Sequence, residues 1–417
     1  MIGAWQSIVE GELGLRVRAA TDRIAIALEA ADREGSPTLA FGAPGIALFF
    51  AYLARTRHVA QHQDTAGALL DASIDAVASI PMECGLYDGF PGVAWSTEHL
   101  QGVDESRDLN EDIDGHLIEV TRTPWLRSHD LTRGIVGLGV YALERAHRSN
   151  ARRLLAQIVD RLDECAQRTD DGLTWFTPPH RMSPGNVALY PDGCCDLGLA
   201  HGVPAVVAFL AACVAHSIHV TTSQRLLLGA VEWLLAQRQP PGTFDEVLAP
   251  NRAARPTRLA WCYGDPGVAS ALFLAGQAAA RPDWQAEAIA VAQRAAHRPP
   301  RESGVVDAGL CHGAAGLVHI FNRFYQATGL HDFRDAARAW IERLLALQDP
   351  GRGVGGFWSQ VPDPDRPGVV ELRADPGFLQ GAAGVGLTLL AAVGDVRPDW
   401  DRALLLSFAT PREPAPR

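Results

Sequence analysis

The stretch RLAWCYGDPGVASALFLAGQAAA, residues 258–280, joins a polar, cysteine-bearing turn to an apolar run long enough for a helix. The junction is Gly264-Asp265-Pro266-Gly267. Glycine lets a chain turn sharply and lets a neighbour approach closely, and proline suits the first turn of a helix, where its missing N–H costs nothing. The same mark returns as Gly42-Ala43-Pro44-Gly45, Gly89-Phe90-Pro91-Gly92, Gly134-Ile135-Val136-Gly137, Gly313-Ala314-Ala315-Gly316 and Gly381-Ala382-Ala383-Gly384. A degenerate copy, Gly202-Val203-Pro204-Ala205, ends in alanine. Successive marks lie 47, 45, 68, 62, 49 and 68 residues apart, a period near 45 with insertions, which is the sign of a helical-pair repeat.

Each mark is followed by an apolar run, such as GIALFFAYLAR from Gly45 or GLVHIFNRFYQA from Gly316. Between marks lie amphipathic runs with charge on one face, such as RLLLGAVEWLLAQR (225–238) and FRDAARAWIERLLALQ (333–348). The first kind suits buried inner helices and the second an outer layer. An open stack of repeats needs polar terminal caps. Here the first and last inner runs are as apolar as the middle ones, so the stack is expected to close. The fold class is all-α: an α/α toroid of seven inner and seven outer helices in one domain spanning residues 1–417. Two stretches break the helical pattern, Asp170–Asp196 and about 351–376, both rich in Gly and Pro. They are expected to be loops or hairpins on one rim, and the first is a candidate accessory peptide-binding element.

Composition narrows the function. The chain has 417 residues, is 47% hydrophobic and 20% charged, and carries a formal charge of −11. An acidic body matches a phosphate backbone poorly, so nucleic acid is not an expected partner. All 37 basic residues are arginine. Without lysine there is no P-loop, no kinase strand lysine and no Schiff-base chemistry. The first residues carry early acids and no apolar core of a signal peptide, and the longest apolar stretch, about Gly202 to Ala215, is shorter than the about 20 residues that span a bilayer. Seven cysteines, an odd number, favour reduced thiols or metal ligands over a disulfide scaffold. A cytoplasmic protein without a membrane span is expected.

The residues beside the glycines carry chemistry. Cys262 lies two residues before Gly264, Cys311 and His312 immediately precede Gly313, His201 precedes Gly202, and Asp130 lies four residues before Gly134. If equivalent turns share one rim of a ring, these side chains converge. Two cysteines and a histidine are a natural zinc set that leaves a fourth tetrahedral position open. Such a centre deprotonates a bound thiol, which points to thiol chemistry more than to water activation. Cys84, Cys165, Cys194, Cys195 and Cys213 read as inert core thiols.

The strings TLAFGAPGIALFF, GLYDGFPGVA, HDLTRGIVGLG, GLAHGVPA, RLAWCYGDPGVA, GLCHGAAGL and GFLQGAAGVGL together resemble the lanthionine synthetase C-like cyclases, from about residue 38 to 390. The resemblance implies an α/α toroid with a central Zn2+ held by Cys262, Cys311 and His312, and further active-site residues at Asp130, His201, Arg258 and Tyr263. It implies a stand-alone class I lanthipeptide cyclase: peptide cysteine thiols add to dehydroalanine or dehydrobutyrine and form lanthionine or methyllanthionine. The implied partners are a dehydrated precursor peptide, leader plus core, a dehydratase acting in trans and an exporter complex at the membrane. His201 would serve as general acid with Asp130 setting its tautomer, and Arg258 would steady the enolate or hold Tyr263 or Asp130. The alternatives are a zinc-dependent thiol transferase using glutathione or a prenyl donor on the same fold, and a non-catalytic peptide-binding scaffold.

Overall fold

Every glycine mark starts a helix most of whose residues are buried. In chain order, outer α1 (Gly11–Ala30) precedes inner α2 (Ala43–Arg57), outer α3 (Ala60–Ser79), inner α4 (Phe90–Gln101), outer α5 (Glu111–Thr121), inner α6 (Ile135–Glu144) and outer α7 (Ser149–Cys165). After a short α8 (Pro184–Leu189) the alternation resumes with inner α9 (Val203–Ala215), outer α10 (Val220–Ala236), inner α11 (Asp265–Ala278), outer α12 (Pro282–His297), inner α13 (Ala314–Thr328), outer α14 (His331–Ala346) and inner α15 (Ala382–Val393). In this computed structural model, residues 4–30, 36–102, 108–182, 184–250, 252, 257–362 and 370–409 are described. Among them the toroid has the expected seven inner and seven outer helices.

Burial separates the two layers. Every residue of α15 is buried, as a helix surrounded by protein must be. The outer α14 buries one stripe, Phe333, Ala337, Trp340, Ile341, Leu344 and Leu345, which is the period of an amphipathic helix. The ring closes by a circular shift: α1 packs on α15, so the outer partner of the last inner helix comes from the other end of the chain, and α15 packs on α2. The indole N–H of Trp5 donates to the Ala391 carbonyl at 2.7 Å, and the Ile8 amide donates to Ala392 at 2.9 Å.

At the rim where the inner helices begin, neighbouring turns are tied through their backbones. Leu379 N–H donates to Ala40 O (3.2 Å), Ala40 to Tyr87 (2.9 Å), Leu131 to Ala200 (3.1 Å), Ala200 to Cys262 (3.3 Å), Cys262 to Cys311 (3.2 Å) and Cys311 to Leu379 (2.7 Å). The second glycine of a mark makes the approach possible. A Cβ on Gly92 would sit 2.0 Å from Leu86 O of its own turn and 2.8 Å from Leu39 Cβ of the preceding one.

The insertions are the expected rim hairpins and loops. Strands β1 (Gln167–Thr169) and β2 (Gly172–Thr174) form an antiparallel hairpin, and β3 (Cys195–Asp196) pairs antiparallel with β4 (Val247–Leu248). The second insertion is the antiparallel hairpin β5 (Ser359–Pro362) and β6 (Val370–Arg373). The C-terminal segment fills the ring from within. Trp400, Ala403 and Leu404 are buried, Asp401 pairs with the buried Arg323 (2.7 Å), and the carbonyls of Ala403 and Leu404 accept the Tyr87 hydroxyl (2.7 Å) and the Trp261 indole N–H (3.0 Å). Among the described residues no helix is long and apolar enough to cross a membrane.

The rim packing has a direct test. Gly92→Ala is expected to destabilise the protein by about 1–3 kcal/mol through overpacking. Gly67→Ala on the outer α3, where an added Cβ meets no atom within 4 Å, is expected to be neutral or to stabilise by up to about 1 kcal/mol. Urea unfolding of both variants checks the contrast, and equal effects would contradict the packing role.

Candidate metal centre

The backbone ties fix where the chemistry lies. Cys262 and Cys311 occupy the same place in two adjacent turns, two residues before the glycine that starts α11 and α13 respectively. Their sulfurs and a ring nitrogen of His312 all lie within 4.8 Å of one another, so residues separated by about fifty positions meet. Gly264, which follows Cys262 and Tyr263, has φ +110°, a conformation side chains avoid, and an added Cβ would strike Arg258 O at 2.1 Å. The cysteine turn therefore needs glycine where the other marks keep extended backbone.

Two thiols and an imidazole this close suit a tetrahedral zinc site, whose donors sit about 2.0–2.3 Å from the ion. The donor set fits the metal on chemical grounds as well. The Cys311 thiol donates a hydrogen bond toward Cys262, which together with His312 outweighs burial and brings the Cys262 thiol well below its ordinary pKa, so the pair holds one thiolate at Cys262. Burial disfavours the His312 cation, but Asp307 and Cys262 push its pKa up to about 9. His312 Nε2 lies 3.4 Å from Asp307 Oδ2, which leaves Nδ1 for an ion. Asp307 is itself fixed, since its Oδ1 accepts the Gly309 amide at 3.2 Å.

Across the mouth, His201 follows the same plan. Its Nδ1 lies 3.2 Å from Asp130 Oδ2 and 3.3 Å from Thr132 Oγ1, while Asp130 Oδ1 accepts the Arg133 amide at 2.8 Å. The His201 side chain is 39% exposed, so Nε2 is left to the mouth. Burial opposes its charge, yet Asp130, with help from Asp196 and Cys262, raises its pKa to about 9. Tyr263 stands between His201 and the cysteines. Its ring centroid is 5.7 Å from that of His201, and its hydroxyl donates to Asp196 Oδ2 at 2.7 Å. Burial and the Asp196 charge hold the phenol protonated far above neutral pH.

All the residues singled out in the sequence lie around this mouth, but Arg258 differs from the rest. It is exposed, and among the described residues no hydrogen bond or ion pair holds its side chain. Tyr263 is held by Asp196 and Asp130 by His201, so Arg258 holds neither; its charge acts on Cys311, where it favours the thiolate. The remaining cysteines are free thiols outside the cluster.

Asp196 and Asp307 went unnoticed in the sequence. Each lies six residues before its glycine, Gly202 and Gly313, and Asp375 stands at the same distance before Gly381. In all three the carboxylate accepts the amide two residues on, at 2.7, 3.2 and 2.7 Å. Aligning the repeats on their glycines would have exposed this recurring aspartate. Burial raises the Asp196 pKa to about 6, against the pull of His201 and Tyr263.

Comparison with known proteins gives a consistent picture. A family model described as lanthionine synthetase C-like protein matches residues 33–405. The chain is 25% identical over 353 residues to the nisin biosynthesis protein NisC of Lactococcus lactis subsp. lactis, covering 77% of this chain and 82% of that protein. It shares the fold of a solved nisin cyclase at a TM-score of 0.74, with 22% identity over 93% of this chain and 97% of the other.

Cobalt(II) reports on the donor set directly. The protein is expected to show a thiolate-to-cobalt charge-transfer band that Cys262→Ala or Cys311→Ala weakens and that Cys195→Ala leaves unchanged. Asp307→Asn is expected to keep one ion per chain but to bind it about 10-fold more weakly, measured by competition with a chelator. Equal spectra in all variants would exclude the cluster.

Proposed function

The chain belongs to the lanthionine synthetase C-like family, and from that premise we propose that it is a zinc-dependent lanthipeptide cyclase, which adds the cysteine thiols of a dehydrated precursor peptide to dehydroalanine or dehydrobutyrine. The observation that carries this reading is the convergence of Cys262, Cys311 and His312 with an aspartate-bound histidine on one mouth. In the reaction a C–S bond forms at the β-carbon, the thiol loses its proton, and the α-carbon gains one. Nothing is oxidised or reduced, so no co-substrate is needed.

Cys262, Cys311 and His312 would hold the zinc, and Asp307 would keep the imidazole turned toward it. Zinc held there supplies a Lewis acid that keeps an incoming thiol in its nucleophilic thiolate form at neutral pH. His201 carries the proton that the α-carbon receives, delivered from Nε2. Asp130 keeps the other nitrogen protonated and stabilises the cation. Asp196 pins Tyr263 against the His201 ring and shapes the pocket between acid and thiols. Arg258, free to reach into the mouth, offers a guanidinium to the enolate oxygen that develops during addition. The precursor enters as leader plus core, after a dehydratase has acted on it in trans, and an exporter takes the product. The segment 170–196 touches the leader as an accessory element. The free thiols and the absence of a spanning helix among the described residues support work in the cytoplasm, beside a membrane-bound partner.

His201→Asn is expected to keep its zinc while ring closure falls roughly 10²–10⁴-fold, read as free thiols left for alkylation after incubation with a dehydrated peptide. Unimpaired closure with full zinc would remove His201 from the mechanism. The raised pKa sets the pH profile. The acid form of His201 predominates below about 9, so closure is expected to decline as pH rises through that value. Asp130→Asn removes the largest raising influence and leaves the burial that lowers the pKa, so the alkaline limb should move to lower pH. An unmoved limb would mean that another group donates the proton.

A further inference from the structure

The seven rim turns are copies of one turn, and the residue immediately before each mark glycine holds the same place in each. In three consecutive repeats that place is filled by His201, Tyr263 and His312, all of them at the mouth. In the other four it is filled by Phe41, Asp88, Arg133 and Gln380. Asp88 and Arg133 pair with each other at 2.5 Å. Phe41 and Gln380 have no such explanation. Phe41 is 47% exposed, an unusual setting for an aromatic in a turn whose other versions carry polar residues. The Gln380 side-chain amide has no hydrogen-bond partner among the described residues.

Their neighbours fix where they stand. The Cys311 amide donates to Leu379 O, and the Phe378 and Leu379 amides donate to Ala40 O, so the Gln380 turn lies between the turn of His312 and the turn of Phe41. A Cβ on Gly377 would lie 2.7 Å from Phe41 Cα, so the two turns are in contact. Going round the rim from His312, away from His201, the next two equivalent places are Gln380 and then Phe41.

We propose that Gln380 and Phe41 are substrate-contact residues that continue the mouth beyond the metal centre. Phe41 receives the apolar side chain next to the reacting residue, and Gln380 hydrogen-bonds the peptide backbone. The chemistry matches the substrate class of the cyclase reading, on which this proposal rests. A dehydrated peptide presents neutral amides, for which a carboxamide is both donor and acceptor, and its unsaturated and aliphatic side chains bury well against an aromatic face. Among the described residues no side-chain hydrogen bond or ion pair joins either one to Cys262, Cys311, His312 or His201, so both act on binding and specificity and not on the chemical step.

The test uses the full-length, zinc-loaded protein and two fluorescein-labelled linear peptides containing dehydroalanine. One has leucine and the other glycine beside the dehydroalanine, and each is made with cysteine for the reaction and with serine for binding alone. Phe41→Ala is expected to weaken binding of the leucine-flanked serine peptide about 10-fold and the glycine-flanked one less than about twofold, while Phe41→Leu retains most of the preference. Gln380→Ala is expected to weaken both by about three- to tenfold, the range of a lost neutral hydrogen bond. Zinc content and ring closure at saturating cysteine peptide should stay within about twofold of the parent. Phe41→Ala binding both peptides as the parent does, or losing equally on both, overturns the role of Phe41, and unchanged binding by Gln380→Ala overturns that of Gln380. Selective binding by a parent protein that closes no ring would instead refute the cyclase reading and leave the contact surface standing.

Discussion

The structure depends on the backbone hydrogen bonds that join neighbouring rim turns at six of the seven junctions of the ring, among the described residues. In five of the seven turns the residue two places before the glycine donates its amide to one neighbouring turn and accepts from the other, as Cys262 does toward Cys311 and from Ala200, and as Cys311 does toward Leu379. Each bond contributes only about 1 kcal/mol net. Their importance is geometric. They lock the turns into one register, so that a given place in every repeat faces the same mouth. In five of the seven marks the second glycine leaves room where a Cβ would meet the neighbouring turn, and the shifted pairing of α1 with α15 keeps the circle from opening.

That register explains what the sequence disclosed and what it withheld. The glycine marks recur at visible spacing, and the apolar and amphipathic runs between them differ plainly, so the count of seven pairs and the closed ring were legible. Cys262, Cys311, His312, His201 and Asp130 stood out because they adjoin the marks, and Tyr263 came only through the family resemblance. Asp196 and Asp307 lie six residues upstream, in runs that look like ordinary turns, and an aspartate before a turn usually serves the backbone alone. Here one carboxylate oxygen does serve the backbone, and the other serves a ring that only the fold brings near. The C-terminal plug was illegible for a related reason. Its burial of Trp400 and Asp401 comes from partners such as Arg323, 78 residues earlier, and a segment of that length has no periodicity to announce it.

The plug also bears on the site. Its carbonyls receive the Trp261 indole and the Tyr87 hydroxyl, and both donors belong to rim turns, Trp261 being the residue before Cys262. The floor under the cysteines is therefore a hydrogen-bonded layer and not a loose apolar bore. Functional groups carried by helix starts and braced from beneath are held more tightly than the same groups on a free loop. The N-termini of the inner helices also point their partial positive charge at this mouth, which favours thiolates there in a chain whose net charge is −11.

Three aspartates meet three rings by one arrangement with different consequences. Asp130 faces His201, Asp196 faces Tyr263 and Asp307 faces His312, and in each case the carboxylate's other oxygen is tied to a backbone amide. A carboxylate raises the pKa of imidazole and phenol alike, but the protonated imidazole is a cation and the protonated phenol is neutral. Tyr263 thus keeps its proton far above neutral pH and remains a hydrogen-bond donor to Asp196. Of the two histidines, His312 is turned into the cysteine cluster, while His201 keeps a nitrogen toward the open mouth. The different settings of the two histidines therefore follow from where each ring sits, in the cysteine cluster or at the open mouth, and not from the aspartates, which hold both alike.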